Sequence, residues 1–166
     1  MTMPTSPSPT PSSDSVGSRL ATFLLSCREQ LLSEWSGRVQ RDPTTQSPNS
    51  LNKVQLRDHL PMLLDNLNQR LGDASNEELK ERAASLAALH GNIRWKEDYD
   101  IGEIVQEFAV LRSTIIPHLI EFQENSPDIG GASLQFALIV VHRFFDDAIR
   151  ESIEQFTALN ERSKKS

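Results

Sequence analysis

The sequence predicts an all-α fold, a bundle of about five to six helices, and three observations carry that prediction. Apolar residues recur at intervals of three and four from Leu20 to Phe156, the repeat of one helix face. Helix-start patterns stand before two of these runs, at Ser75 and Asp100, where a short polar side chain can satisfy the free N–H groups of a first turn. No segment has the clear apolar/polar alternation of a strand.

The organisation is that of one folded domain, residues 19–160, between two polar tails. Residues 1–18, MTMPTSPSPTPSSDSVGS, are so rich in Pro, Ser and Thr that they cannot bury enough apolar surface to offset the entropy of ordering, and are expected to be a disordered tail. From Arg19 to Gln40 the series Leu20, Phe23, Leu24, Cys27, Leu31, Trp35, Val39 marks one face of a single long helix. Pro43 and Pro48 end it in a loop. Leu51 to Leu71 is helical along Leu56, Leu60, Leu63, Leu64 and Leu67, but Pro61 has no N–H for a helix interior. A short helix to about His59 and another from about Pro61 reconcile the two signals.

Ser75-Asn76-Glu77-Glu78 has capping-box spacing and opens a helix with the stripe Leu79, Ala83, Leu86, Ala87 and His90. Gly91 is expected to stop that helix as its left-handed terminal residue, leaving Arg94, Trp95 and Tyr99 in a polar connector. Asp100-Ile101-Gly102-Glu103 is a second capping box, and the next helix runs through Ile104, Phe108, Leu111, Ile115 and Phe122 with a bend at Pro117. After the break at Pro127 and Gly130-Gly131, Leu134, Leu138, Val141, Phe145, Ala148, Ser152 and Phe156 follow a near-heptad spacing. Residues 161–166 are expected to fray.

Composition excludes several function classes. A net charge of −6 and a pI near 5.2 argue against a nucleic-acid binder, which needs a basic face for phosphates. No apolar run approaches the roughly 18 to 20 residues of a bilayer span, and the start of the chain has no basic segment followed by an apolar one, so no membrane insertion and a cytoplasmic location are expected. The lone Cys27 lies among Leu20, Phe23, Leu24 and Leu31 and reads as a core thiol.

Motifs with strict spacing are missing. A carboxylate-bridged di-iron bundle needs Glu-x-x-His, yet Leu56, Ala87, Ile115 and Ile139 stand three before His59, His90, His118 and His142. There is no H-E-x-x-H, no phosphate-binding glycine loop and no G-x-S-x-G. Neither an enzyme nor a metal site is therefore expected.

What remains is a set of polar residues on helix faces. His90 continues an apolar stripe and is expected to face the core; His59 follows Asp58 at a helix junction; His118 and His142 border apolar faces in structural roles. Arg112 lies on the stripe of Val105, Phe108 and Ile115, and Glu107, five residues before it, cannot pair with it along one helix. Each needs a partner elsewhere: Asp58 for Arg112, and Arg94 for Glu107. Asp58, His59, His90, Arg94, Glu107 and Arg112 are thus the candidate residues of an interhelical polar network that fixes helix register.

Leu56-Arg57-Asp58-His59-Leu60-Pro61, then His90-Gly91-Asn92-Ile93-Arg94, then Glu107-Phe108-Ala109-Val110-Leu111-Arg112 together resemble the N-terminal sensor domain of the RsbR-type RsbT co-antagonists, also found ahead of bacterial sensor histidine kinases. The resemblance covers about Leu20 to Leu159. It implies a globin-like bundle without haem, a homodimer through the first and last helices, and an input module of stress-response or two-component signalling that acts on an output kinase or STAS-type protein. No kinase or STAS segment follows Phe156, so the output is expected in another chain or an attached domain. A haem-binding globin sensor is the alternative, because His90 near a helix end ahead of another long helix matches the place of a proximal ligand by analogy of fold.

Overall fold

The computed structural model describes residues 13–166, and every helix in it follows from the patterns above or departs from them for a visible reason. The α-helices are α1 (Ser13–Ser26), α2 (Arg28–Arg41), α3 (Lys53–Arg57), α4 (Leu60–Gly72), α5 (Glu77–Lys96), α6 (Ile101–Glu124) and α7 (Gly131–Lys164), with a 3₁₀ turn at Ser47–Ser50. Among the described residues there is no strand, so the all-α helical bundle holds. None of its helices is long and apolar enough to cross a membrane.

The tail expected over residues 1–18 falls largely outside the described residues, but its last part does not: α1 already begins at Ser13. Gly17 explains the order there. It lies so close to α4 that a Cβ on it would stand 2.5 Å from the Leu71 carbonyl oxygen, which ties the first turns of α1 to a neighbour. At the other end α7 continues to Lys164 rather than fraying at 161.

The single helix expected over residues 19–40 is broken at Cys27, where φ −103° and ψ 10° leave the helical range. Two side chains next to the break bond back to the preceding turn, Ser26 Oγ to Phe23 O at 2.6 Å and Cys27 Sγ to Leu24 O at 3.5 Å. Such bonds compete with the backbone ladder. The junction of α3 and α4 falls where Pro61 requires, with Pro61 in the first turn of α4. Asn52 caps α3 in a reciprocal box with Gln55. Asp58, between the two helices, adopts φ 33° and ψ −110°, a positive φ uncommon outside glycine.

Capping also sets α5 and α6. The start of α5 lies one residue past expectation, with Asn76 Oδ1 accepting from Leu79 N at 3.1 Å. The Asp100–Glu103 box forms as its spacing requires, and Glu103 does more, accepting from Gln46 N, Ser47 N and Ser47 Oγ at 2.7 to 2.8 Å. These bonds pin the loop after α2 to the start of α6.

The expected stop at Gly91 is overturned: α5 runs on through Arg94 and Trp95 to Lys96, and no glycine has positive φ among the described residues. A Cβ on Gly91 would lie 2.1 Å from the Ser152 carbonyl oxygen. Gly91 is therefore the point where the backbones of α5 and α7 touch. Ser152 Oγ donates to Ala87 O at 2.7 Å at the same crossing. The pairing of α5 with α7 is the most extensive in the bundle, followed by α6 with α7, α1 with α4 and α2 with α6. Trp35, Leu56, Leu63, Leu67, Phe108, Leu111, Val141 and Phe145 fill the centre, all at most 1% exposed. Along α7 the buried stripe is wider than the near-heptad series, since Ala137, Val140 and Phe144 join it.

Candidate functional site

The long α5 face that meets α4, α6 and α7 consists of Ala83, Ala87, His90, Gly91 and Arg94, a face of small and polar residues in place of large apolar ones. Opposite it α6 presents Glu107 and Phe108. His90 and Arg94 are 0% exposed and Glu107 is 1% exposed, so each charge and each ring nitrogen must find its partner inside the protein.

Glu107 is the hub. Its Oε2 accepts from Arg94 Nε at 2.9 Å and its Oε1 accepts from Tyr99 Oη at 2.8 Å. Its backbone carbonyl accepts from Trp35 Nε1 at 2.9 Å. Arg94 spends its other donors on two further elements: Nη1 to Glu97 Oε2 at 2.7 Å and Nη2 to the Leu56 carbonyl at 2.6 Å. That carbonyl belongs to the last turn of α3, where backbone oxygens have no partner within the helix. The guanidinium also lies 4.9 Å from the centre of the Tyr99 ring, a cation–π distance. Glu107, through its carboxylate and its backbone carbonyl, and the Arg94 guanidinium thereby join α2, α3, α5, α6 and the α5–α6 connector.

The two histidines extend this set toward α4. His90 Nδ1 and His59 Nε2 are 2.8 Å apart, and His90 Nε2 is 3.1 Å from Glu107 Oε2, close but without the alignment of a hydrogen bond. Beyond them Asp58 Oδ2 lies 3.7 Å from His59 Nδ1. Between two neutral imidazoles a single hydrogen is shared. Glu107, the nearer carboxylate, favours N–H at His90 Nε2, so His90 Nδ1 accepts from His59 Nε2–H. His59 Nδ1 is then a buried acceptor with no donor in reach.

Burial decides the charge states. It drives His59 down to about 2, with His90 and Arg94 acting in the same direction. It also holds His90 below its ordinary value, against the attraction of Glu107. For Glu107 burial works upward, but His90 and Arg94 outweigh it and keep the carboxyl below the usual range. For Arg94 burial works downward and is more than offset by Glu107, Tyr99 and Glu97. Tyr99 is raised by burial and by Glu107, and so stays a donor. The interior holds an Arg94–Glu107 ion pair beside two neutral imidazoles.

A pH dependence follows. Unfolded histidine takes up a proton near pH 6.5, whereas folded His59 and His90 resist it, so the unfolded state binds more protons as pH falls. Stability present above about pH 6.5 should decline below it by up to about 2.7 kcal/mol per pH unit for the two groups together. The depressed Glu107 adds to the loss at still lower pH. Urea midpoints between pH 7.5 and 5 check this. His59→Gln should roughly halve the slope, and a flat profile would contradict two neutral buried imidazoles.

Of the six residues proposed from the sequence, the structure brings together His59, His90, Arg94 and Glu107, with Asp58 at the edge. Arg112 is elsewhere. It is not paired with Asp58; its Nη1 bonds Asp146 Oδ1 on α7 at 3.0 Å, and it is half-buried. Trp35, Tyr99, Glu97 and the Leu56 carbonyl belong to the network and were not among the candidates. Tyr99 had a signal, as the one tyrosine in the chain and eight residues before Glu107. A backbone carbonyl had none.

The ring nitrogens of His90, the residue of the haem alternative, face His59 and Glu107 at 2.8 and 3.1 Å, and Phe108 lies 4.6 Å from its ring centre. Four surface cavities among the described residues have no residue of the network in their walls. Nor do His, Cys, Asp or Glu form a group of three or more suited to a metal ion among those residues.

Set against known proteins, the chain matches no family model, no curated protein and no solved structure.

Proposed function

We propose that this chain is a non-catalytic regulatory module of signal transduction. In this reading α7 shifts against α5 and α6 and so changes the geometry offered to an output domain or partner of the histidine-kinase or STAS kind. The observation that carries the reading is the contact of α7 with Gly91, one residue from His90 and three from Arg94. Any rearrangement of the network moves the seat of α7. Signalling of this kind needs two packed arrangements of close energy, biased by differential binding, and a set of polar bonds spanning five elements can adopt discrete alternatives where an apolar core would only deform.

The burial of His59, His90, Arg94 and Glu107 at 2% exposure or less, away from the four cavities described above, suits a coupling element better than a centre for substrate. The sequence resemblance supports the same reading, and with it a haem-free homodimer through α1 and α7 in the cytoplasm.

Tyr99→Phe is the test, since it removes one hydrogen bond to Glu107, keeps the ring, and should cost only about 1 kcal/mol. Hydrogen exchange over residues 140–156 of α7 should rise while α1 is unchanged, and the self-association constant measured by sedimentation should shift several-fold. Equal acceleration in every helix would reduce the network to a stability element and remove the regulatory reading.

A further inference from the structure

A second buried cation lies outside the network. Arg70, near the end of α4, is 5% exposed. Its Nε is shut off from solvent with no acceptor, and among the described residues no carboxylate lies within ion-pair distance. Buried charges are otherwise paired. The guanidinium lies 5.6 Å from the centre of the Phe144 ring on α7 and forms one wall of a cavity of about 230 Å³ between α4, α5 and α7.

The other cations of that cavity are already matched. Lys80 bonds Glu77 at 2.6 Å, and Arg150 bonds Asp147 at 3.0 Å. Among the described residues, Arg70 is the one cation of these walls without a carboxylate partner. Its planar fork is suited to two parallel bonds with a carboxylate, and burial lowers its pKa, against the pull of Asp147 and Glu77.

We propose that this cavity binds a small organic monocarboxylate, its carboxylate on Arg70 and its apolar part against Phe144, Ala84 and Ala148. The volume is below that of drug-sized sites, which limits the ligand to a few carbons. The rim carries Glu81, Asp147 and Glu151, whose repulsion grows with ligand charge and so disfavours phosphate and dicarboxylates. The site is independent of the Glu107 network, and neither proposal requires the other.

Thermal unfolding of the full chain tests it, with sodium propionate against propionamide, inorganic phosphate and sodium chloride at matched ionic strength. Propionate at a hundredfold excess over its Kd should raise Tm by about 5 to 10 °C, and the other three should not. Arg70→Met should abolish the response and, without ligand, be at least as stable as the parent, because an unpaired buried charge is gone. Ala84→Leu keeps Arg70 but fills the cavity, and should also abolish the response. The proposal is overturned by an equal rise with propionamide or phosphate, by no rise with propionate, or by a response surviving in either variant. It is also overturned if Arg70→Met is clearly less stable without ligand, which would mark Asp147 as an internal partner.

Discussion

Exchanging Glu107 for alanine should lower the unfolding free energy by about 3 to 5 kcal/mol, measured by urea denaturation near neutral pH. The loss is large because of what stays behind. Arg94 remains at 0% exposure with its Nε left without an acceptor and only the half-buried Glu97 to face its charge, and the Tyr99 hydroxyl loses its acceptor. Against a typical total of about 5 to 15 kcal/mol, that is enough to unfold a sizeable fraction of the protein. Removing both ends of the pair as Glu107→Leu with Arg94→Met should cost clearly less than the sum of the single changes, since no orphaned charge is left. Additive costs, or a Glu107→Ala loss below about 1 kcal/mol, would mean that solvent reaches the pair.

Gly91→Ala should destabilise by about 3 kcal/mol, although the same change inside an ordinary helix gains about 1 kcal/mol. The sign is therefore diagnostic. The added Cβ would sit 2.1 Å from the Ser152 carbonyl oxygen and 2.9 Å from its carbon, and both are backbone atoms of a helix, which cannot turn aside as a flexible side chain can. The α7 helix must retreat, at the cost of overpacking and of the Ser152–Ala87 bond. Denaturation gives the magnitude, and hydrogen exchange over residues 140–156 should show the loss concentrated in α7. A stabilised variant would mean that α5 and α7 lie further apart than a 2.1 Å approach allows.

These two positions also show how far the sequence could be read. Glu107 was legible: five residues from Arg112, it cannot pair with it along one helix, so its partner had to lie elsewhere, and Arg94 was the one named. His90 was legible from its spacing after Leu86. Gly91 was not, because a glycine that ends a helix and one that admits a neighbouring backbone look identical until the neighbour is known. That single substitution of meaning moved Arg94 and Trp95 from a connector into α5. Arg112 sits at the edge of the α6 stripe, and a periodicity of three and four does not resolve inward from sideways, so its partner on α7 was out of view. Trp35 was hidden for another reason. Its ring registers as core, and nothing in a pattern of apolar residues shows where a polar tip will point. The break at Cys27 depended on side chains bonding back to their own turn, a local choice that propensity does not decide.

The bond from Arg94 to the Leu56 carbonyl has a further consequence for how this chain assembles. A helix of five residues, as α3 is, is far too short to persist by itself, because the entropy of its first turn is never recovered by propagation. Asn52 steadies its beginning from within the segment, but its end is completed by a side chain 38 residues further along. Order in α3 is thus borrowed from α5 and α6. Hydrogen exchange should therefore show the amides of α3 losing protection when Arg94 is replaced, even where α4, its neighbour in the chain, keeps its own.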